Sequence, residues 1–419
     1  MRALIDDPTA ISERQYQRFL RRAQVRALMA DHLVAGEPYP ALNALVVTRR
    51  DHEALADAVV PLSRAFVKAG RVVARDPATV VAMGFPWMAA ELLAAETAML
   101  PLLSRFDFVV DGNGRWWVLE LNADTPSGVR EAIGMDPLVA ELRPEASPLA
   151  QPSAALGKLL TQAFVDRVGQ QTTPSRLGLV TTAGELEDLA QMAFTQGLIE
   201  EPLRKRGVEV LLGDADNLGF KAGRTTLLGR PIDHLYRYVP LEAMLGHESF
   251  VTLYEAVVSG RLRLLNGLFG LLLQCKGLLA WIWERRRSSL FTAGERDALE
   301  RYLTPTWHAG SHGVPAAKEG LVAKHAFGRE GAEVLFGDSV DDATWRALPE
   351  LGAYVIQPRI EVQEFAAGVF TSGGPMVWQG RATVGAFAVV GRFGGYYSRF
   401  GGRVITNRAK WMATYVEAD

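Results

Sequence analysis

Apolar residues recur at helical spacing through most of the first hundred residues. The segments ERQYQRFLRRAQVRALMADHLV (13–34) and WMAAELLAAETAMLPLLSRF (87–106) repeat them three and four positions apart, which predicts amphipathic helices. A shorter helix is predicted around 129–143, and the prolines near 144–152 predict a break after it. We therefore expect this part of the chain to be mainly helical.

From about residue 155 the pattern changes to short apolar runs separated by a long amphipathic segment. SRLGLVTTAG and VEVLLGD are typical of strands, and ELEDLAQMAFTQGLIEEPLRKRG between them is typical of a helix. This strand–helix–strand order predicts a small α/β domain with a parallel sheet over 171–245. The chain is accordingly divided into an N-terminal part (1–170), this domain, and a C-terminal part (246–419).

The longest apolar stretch, LLNGLFGLLLQCKGLLAWIWERRR (264–287), is about as long as a membrane span. Asn266, Gln274 and Lys276 interrupt it, and the sequence has no second candidate span. A helix that is buried or lines a groove is therefore favoured over a transmembrane helix.

Composition narrows the class of protein without selecting a function. The chain has 419 residues and a formal net charge of −2, which indicates neither a nucleic-acid partner nor a membrane surface. The N-terminus lacks the apolar core of a secretory signal. The lone Cys275 cannot form an internal disulfide, which fits a reducing compartment. We expect a cytoplasmic protein, and the sequence does not indicate its oligomeric state.

The clearest chemical signal is a hairpin in which polar residues alternate with apolar ones. In RFDFVVDGNGRWWVLELN (105–122) the DGNG segment tolerates positive φ angles and predicts a tight turn. A loop of two or four residues pairs odd positions with even ones, and with the loop at 113–114 Asp107 lies directly opposite Glu120. Four polar side chains then share one face of the hairpin. They are Arg105, Asp107, Glu120 and Asn122.

Two facing carboxylates repel each other unless positive charge lies between them. Carboxylate and amide oxygens suit Mg²⁺, which completes its coordination with phosphate and water, and Arg105 could bind the same phosphate. The pattern equally fits an exposed hairpin with a cross-strand ion pair between Arg105 and Glu120. The residues alone leave both interpretations open.

This hairpin resembles the synthetase domain of glutathionylspermidine synthase, a circularly permuted member of the ATP-grasp superfamily. The family's hallmark is present as RFDF (105–108) and ELNADTPS (120–127), with leucine in place of the usual tyrosine. The resemblance implies that Asp107, Glu120 and Asn122 hold Mg²⁺ between ATP phosphates. It also implies that Arg105 contacts the terminal phosphate.

Two residues at the end of this segment are assigned to the substrate. The resemblance places Ser127 beside it. Asp124 is either a substrate ligand or the N-cap of the helix that follows, and it could be both.

Further segments match the family in the order of the permuted arrangement, with the metal residues ahead of the phosphate loop and the adenine hinge. Glycines let backbone N–H groups approach phosphate, and a lysine adds charge. We expect loop 325–333 to be mobile without nucleotide and to close over it. Asn407 or Arg408 would match the family's C-terminal lysine. The other matched residues are Lys324, Gly328, Arg329 and Gly331 in the phosphate loop GLVAKHAFGREGAEV, Gln357 in the hinge AYVIQP, Lys276 beside the nucleotide, and Arg399 near the phosphates.

The resemblance implies an α+β fold of circularly permuted ATP-grasp type, with 171–245 as a pre-ATP-grasp-like α/β domain. It also implies ligation of a small-molecule or peptide carboxylate to an amine, driven by ATP and Mg²⁺ through an acyl phosphate. Arg105, Lys324 and Arg399 would be the catalytic residues. The segment DHLYRYVPLEAM matches the family only loosely, so glutathione and spermidine are not assigned as substrates. A phosphotransferase on the same fold and a non-catalytic nucleotide-binding or scaffold protein are the alternatives.

Two other groups favour a structural interpretation. His308 and His312 have a spacing that could suit zinc, but the neighbouring glycines indicate a loop and no third ligand is near in sequence. Cys275 lies in an apolar segment without an acid–base partner nearby, which is typical of a packed thiol.

Overall fold

The structure is a computed structural model that describes residues 1–7, 12–97, 99–170, 173–182, 184–244, 248–328, 333–406 and 408–418. The helices are α1 (Glu13–Arg26), α2 (Arg49–Val73), α3 (Pro77–Ala82), α4 (Trp87–Ala95), α5 (Asp136–Leu142), α6 (Leu156–Val168), α7 (Leu186–Arg204), α8 (Leu241–Met244), α9 (Glu248–Val258), α10 (Leu268–Gln274), α11 (Lys276–Arg285), α12 (Ala293–Tyr302), α13 (Ala309–His312), α14 (Asp342–Arg346) and α15 (Leu348–Leu351). A π-helical turn covers Glu131–Met135, and 3₁₀ turns cover Pro144–Ala146, Ala215–Asn217 and Gly337–Ser339.

The strands are β1 (Arg2–Ala3), β2 (Leu33–Val34), β3 (Glu37–Pro38), β4 (Pro40–Val47), β5 (Leu103–Val110), β6 (Trp116–Asn122), β7 (Ser175–Thr181), β8 (Val208–Asp214), β9 (Leu218–Lys221), β10 (Arg224–Leu227), β11 (Arg230–Pro231), β12 (His234–Arg237), β13 (Arg263–Leu264), β14 (Trp307–His308), β15 (Leu321–His325), β16 (Val334–Phe336), β17 (Tyr354–Pro358), β18 (Phe365–Thr371), β19 (Gly374–Val389), β20 (Arg392–Gly401) and β21 (Lys410–Val416). The largest sheet has the order β1-β4-β21-β20-β19-β5-β6, with β18 paired to β19.

Helices cover both faces of this central sheet. Helix α2 packs against β19 and β20, while α5 packs against β4 and β21. Every residue of β4, β5 and β21 is buried. Strand β4 (PALNALVV) is apolar except for Asn43, so it lacks the alternating pattern that marks a half-exposed strand. This explains why β4 was not anticipated in a region that the sequence predicts to be mainly helical.

The β5–β6 hairpin forms as predicted, but its loop has three residues, where a loop of two or four was expected. The Asp111 N–H donates to the Arg115 carbonyl at 2.9 Å, and the Gly114 N–H donates to the Asp111 carbonyl at 3.0 Å. Gly114 has φ +80°, so the loop has three residues and ends on a glycine in the left-handed region.

A β-bulge in β6 compensates for this loop length. Phe108 pairs with Val118, but the next residue, Asp107, pairs with Glu120 after a register shift. Leu119 is therefore the extra residue of the bulge. Without it, Asp107 would face Leu119 instead. The predicted pairing of the two carboxylates is thus present, although it arises by a different route.

Besides the central sheet, the described residues form the small sheets β2-β3 and β11-β10-β9 and two sheets of four strands. An antiparallel sheet, ordered β14-β17-β15-β16, places Lys324 opposite Val355 and Val322 opposite Gln357. In the other, β7 and β8 are parallel and α7 connects them, as the sequence predicts. That sheet continues through β12 to β13 at 263–264. The proposed domain limits of 171–245 remain a proposal.

The apolar stretch 264–287 is not one helix, as its pattern suggested, but two. Helix α10 ends at Gln274, and Cys275 adopts φ −58° and ψ 124° before α11 begins at Lys276. The Lys276 N–H donates to the Ala326 carbonyl at 2.9 Å, so the break joins this segment to the strand that carries Lys324. Among the described residues, no helix is long and apolar enough to cross a membrane.

Candidate active site

A cleft lies between the β5–β6 edge of the central sheet and the sheet that contains β15 and β17. Side chains from β5, β6, β19 and β20 of the central sheet and from the second sheet line it, together with residues that follow β20. Elements that are distant in the chain therefore converge on one cavity. The residues named from the sequence that line this cleft are Asp107, Glu120, Lys276, Lys324, Gly328, Gln357 and Arg399.

Asp107 holds the guanidinium of Arg105 at the base of the hairpin face. Arg105 Nε lies 2.6 Å from Asp107 Oδ1, and Nη2 lies 2.9 Å from Oδ2. Only 4% of Arg105 is exposed. Burial alone would lower the pKa of Arg105, but Asp107 raises it above its ordinary value, so the guanidinium stays charged. Arg105 forms this bidentate pair on its own strand, and the cross-strand ion pair with Glu120, the alternative that the pattern left open, does not form between these two described residues.

Two further predicted residues complete this group. Asn122 Nδ2 donates to Asp107 Oδ2 at 3.1 Å. Arg105 Nη1 donates to the Ser127 carbonyl at 2.7 Å and to its hydroxyl at 3.2 Å. Ser127 is exposed, so Arg105 connects the carboxylate to a hydroxyl that is open to solvent.

Glu120 lies beside two lysines. Lys276 Nζ is 3.1 Å from Glu120 Oε2. Burial alone would raise the pKa of Glu120, but Lys276, Lys324 and Arg399 together lower it to about 2. Burial and the charge of Lys276 outweigh Glu120 and lower the pKa of Lys324 to about 8. The two ammonium groups therefore share one carboxylate.

Lys276 owes its position to the break at Cys275. Its Nζ donates to the Gly328 carbonyl at 2.6 Å, and the lysine is only 5% exposed. It therefore joins Glu120 to the start of the predicted phosphate loop. Arg329 and Gly331 of that loop lie outside the described residues.

Gln357, assigned to the adenine hinge, is buried on β17. Its Nε2 donates to Thr306 Oγ1 at 2.8 Å, so this side chain orders the strand it belongs to. The cleft wall nearby contains an unpredicted stack in which the Arg403 guanidinium lies 3.9 Å from the centre of the Phe336 ring. Nothing in the sequence singles out Arg403, because it follows β20 without a recognisable motif.

Asp124 is in the interior and does not line the cleft. It is 1% exposed and forms an ion pair with Arg237, which is fully buried. Its Oδ2 also accepts from the Leu241 N–H at 3.1 Å. Asn266 Nδ2 donates to the Asp124 and Arg237 carbonyls at 3.1 and 2.6 Å. This arrangement fastens the hairpin segment to β12, and a direct role toward substrate is only a proposal.

The donor set fits magnesium bound together with phosphate. Asp107, Glu120 and Asn122 offer oxygen ligands of the kind Mg²⁺ prefers. No group of three or more His, Cys, Asp or Glu side chains that could hold a metal occurs in the described part of the chain, so phosphate or water would have to supply the remaining ligands. The cleft also has a surplus of cations over its two carboxylates, which suits a polyphosphate. The cations that line it are Lys276, Lys324, Arg359, Arg381, Arg399 and Arg403, and Arg105 lies behind Asp107.

The remaining residues named from the sequence are the lone cysteine, the two histidines and the two C-terminal candidates. Cys275 is fully buried, and burial raises the pKa of its thiol to about 11, which fits the predicted packed thiol. His308 is half-buried in β14, and the side chain of His312 lies outside the description. Arg408 is exposed, and Asn407 lies outside the described residues.

Known proteins provide an independent comparison. The glutathionylspermidine synthase preATP-grasp family matches residues 15–417. The chain belongs to this family. The family match confirms the predicted resemblance. Together with a solved structure of similar fold, it also confirms the α+β, ATP-grasp-related fold. The family also supports a ligase function of the synthetase type.

Two solved structures are similar. A glutathione synthetase-like effector from Globodera pallida, in its apo form, has a TM-score of 0.66 and 11% identity, over 99% of this chain and 98% of that one. A putative γ-glutamylcysteine synthetase from Methylobacillus flagellatus has a TM-score of 0.46 and 13% identity, over 83% of this chain and 86% of that one. Because the effector is only 11% identical to this chain, the similarity between the two concerns the fold alone.

Proposed function

We propose that this protein is an ATP-dependent carboxylate–amine ligase that forms an amide through an acyl phosphate and releases ADP. The observation that carries the proposal is the cleft itself. It brings Asp107 and Glu120 together with Lys276, Lys324 and Arg399 from separate elements. Such a set suits the binding of a polyphosphate and its counterion, and the family supplies the ligase chemistry.

In the proposed reaction, a substrate carboxylate oxygen attacks the γ-phosphorus of ATP, and the bond to ADP breaks. The amine nitrogen then attacks the acyl carbon, phosphate leaves, and the amine loses a proton. Arg105, Lys324 and Arg399 would bind and orient the phosphates and offset charge as it moves. Asp107, Glu120 and Asn122 would hold Mg²⁺, whose contribution is neutralisation of phosphate charge.

The nucleotide site is tested first by thermal unfolding with and without Mg·ATP. We expect a clear rise in Tm for the natural protein and its loss in Asp107→Asn. Asparagine is preferable to alanine here, because alanine would leave the buried Arg105 guanidinium without its partner. A rise that persists unchanged in Asp107→Asn contradicts the metal assignment.

The ligase step is tested by ADP release with panels of carboxylic acids and amines. Hydroxylamine added in place of the amine should trap the acyl phosphate as a hydroxamate. A phosphorylated product that hydroxylamine does not intercept would instead indicate a phosphotransferase.

One observation favours a second candidate, a nucleotide-binding protein without catalysis. Both carboxylates already have cationic partners, Arg105 for Asp107 and Lys276 for Glu120, with which a metal ion must compete. Stabilisation by ATP that is indifferent to Mg²⁺, together with no ADP release for any acid, would support this candidate over the ligase.

A further inference from the structure

A buried carboxylate, Glu131, is linked to Arg105 through two tyrosines. The Arg105 guanidinium carbon lies 4.9 Å from the centre of the Tyr397 ring. The Tyr397 and Tyr39 hydroxyls are 2.8 Å apart, and Tyr39 donates to Glu131 Oε1 at 3.3 Å. Burial raises the pKa of both phenols, so both remain protonated and can donate. Glu131 thus belongs to the surroundings of Arg105 and Ser127, although the proposed reaction has not used it.

The negative charge of the Glu131 carboxylate is only partly compensated by the neighbouring Arg130. Arg130 Nη2 lies 3.8 Å from Glu131 Oε1, but the same guanidinium forms an ion pair with Glu187 and donates to the carbonyls of Ala27 and Leu28. One guanidinium therefore serves two carboxylates. Glu131 is only 6% exposed, and its Oε2 has no hydrogen-bond partner within the described ranges. A buried carboxylate oxygen without a donor is unfavourable unless a ligand supplies one.

The backbone holds Glu131 in this position by an unusual local geometry. Gly128 has φ +99°, and a Cβ at this residue would lie 2.2 Å from the Tyr397 ring, so only glycine allows the loop to pack this closely. The chain then enters the π-helical turn that starts at Glu131. π-Helical turns are rare in proteins, and those that do occur are often located at functional sites.

We propose that Glu131, together with the phenols of Tyr39 and Tyr397, binds the amine substrate as its ammonium ion, which must lose one proton before its nitrogen attacks the acyl carbon. An ammonium group supplies the missing donors and the missing positive charge, and the phenol oxygens can accept hydrogen bonds from it. Ser127, which is exposed and bonded to Arg105, lies four positions before Glu131 in the chain. The inference rests on the proposed ligase function, because it assigns the second substrate of that reaction.

The opposing interpretation is that Glu131 is a structural acid that only fixes Tyr39 and Arg130. In that case removing its charge alters stability but not the response to amines. The two interpretations are therefore separated by an amine-specific measurement.

The experiment compares the natural protein with Glu131→Gln and with a control, Glu141→Gln, which alters an exposed carboxylate paired with Arg22 and Arg26. Thermal unfolding is followed with Mg²⁺ and a non-hydrolysable ATP analogue, and separately without them. The added probes are short primary amines and diamines, with alcohols of the same carbon skeleton as neutral controls. Far-UV circular dichroism checks that each variant is folded.

We expect at least one amine to raise the Tm of the natural protein and of Glu141→Gln. Glu131→Gln should need at least about tenfold more amine for half of the same effect, as expected for the loss of one charge-assisted contact. The proposal is overturned if Glu131→Gln responds like the natural protein, if the alcohols act as the amines do, or if no amine acts although the nucleotide analogue does. If Glu131→Gln does not fold, Glu131→Asp replaces it, and an unchanged amine response then overturns the proposal.

Failure of the ligase proposal has a different signature. If the nucleotide analogue has no effect on any of the proteins, the proposed nucleotide site is wrong. An amine effect that still depends on Glu131 would in that case retain the ammonium site without the ligase reaction.

Discussion

Two ion pairs close together in the chain differ in how completely their charges are matched. Asp124 and Arg237 face each other in the interior, and the Leu241 N–H satisfies a second carboxylate oxygen. Glu120 and Lys276 face each other in the cleft, but Lys324 adds a second ammonium group next to the same carboxylate. The interior pair is electrostatically closed, whereas the cleft pair carries surplus positive charge.

This difference separates structural charge from charge available for binding. A closed buried pair fixes one arrangement, and losing one partner leaves an uncompensated charge. A cleft with surplus cations is stabilised when an anion arrives, and perturbed pKa values of the kind seen at Lys324 accumulate at such sites. The interior pair should therefore govern stability, and the cleft group should govern nucleotide binding.

The largest expected effect is on the interior pair. Asp124→Ala should lower the free energy of unfolding by about 3–5 kcal/mol, because Arg237 is left buried without its partner. Urea denaturation measures this loss. Asp342→Ala is the control, because that carboxylate is 67% exposed and solvent screens its pair with Lys318, so its loss should change stability little.

A small loss of stability in Asp124→Ala, accompanied by a large loss of turnover, would reverse the assignment. Asp124 would then be a substrate ligand, one of the two roles that the sequence left open for it.

The next effect in size concerns Glu120. Glu120→Gln should weaken Mg·ATP binding or turnover by about 100-fold or more, because a charged ligand is removed and two ammonium groups then repel each other. Its free energy of unfolding should fall by less than in Asp124→Ala, because the Glu120 side chain is 24% exposed and water can solvate part of the charge left on the lysines. The Mg·ATP concentration that gives half of the maximal rise in Tm measures binding. In Glu300→Gln, which alters a surface pair with Arg287, that concentration should stay the same, and an equal loss there would discredit the Glu120 result.

The sequence predicts the polar face of the hairpin but not how that face is built. Alternation within each strand is a local property, so Arg105 with Asp107, and Glu120 with Asn122, can each be assigned to one face directly. The cross-strand register depends on loop length and bulges, which the pattern does not encode. The three-residue loop and the bulge at Leu119 offset each other, and the pairing was right for an incomplete reason.

Contacts between distant segments were the least predictable. Lys276 was identified by family resemblance, but its apolar surroundings suggested one continuous helix. The break at Cys275 depends on the hydrogen bond from Lys276 to Ala326, which only the folded chain brings together. The same holds for Arg403 on Phe336 and for Glu131 with Tyr39. In each case the partner lies too far along the chain for a local pattern to register it.

An effect of about tenfold is expected from the pKa of Lys324. Because this pKa is about 8 in the folded protein, about nine-tenths of the lysine is uncharged at pH 9, and Mg·ATP affinity should fall about tenfold between pH 7 and 9. Between pH 8 and the ordinary value of 10.5, the unfolded chain binds more protons than the folded one, so the ligand-free protein gains stability as pH rises.

The variant Lys324→Met isolates this effect. Lys410 also has a pKa of about 8, because of its burial, so a pH dependence of the natural protein alone would not identify the group. In Lys324→Met the affinity should change by less than threefold over the same range. A tenfold fall that persists in this variant would assign the titration to another group.

The smallest expected effect is at the rim of the cleft. Arg403 lies over Phe336 and is exposed, and an exposed cation–π contact contributes about 0.5–1 kcal/mol. Arg403→Ala should therefore weaken Mg·ATP binding only about two- to fivefold, as measured by the nucleotide-induced rise in Tm, and Arg392→Ala should have no effect. A loss as large as that of Glu120→Gln would mean that the rim contributes as much as the charged base of the cleft. The surplus charge at the base would then no longer account for binding.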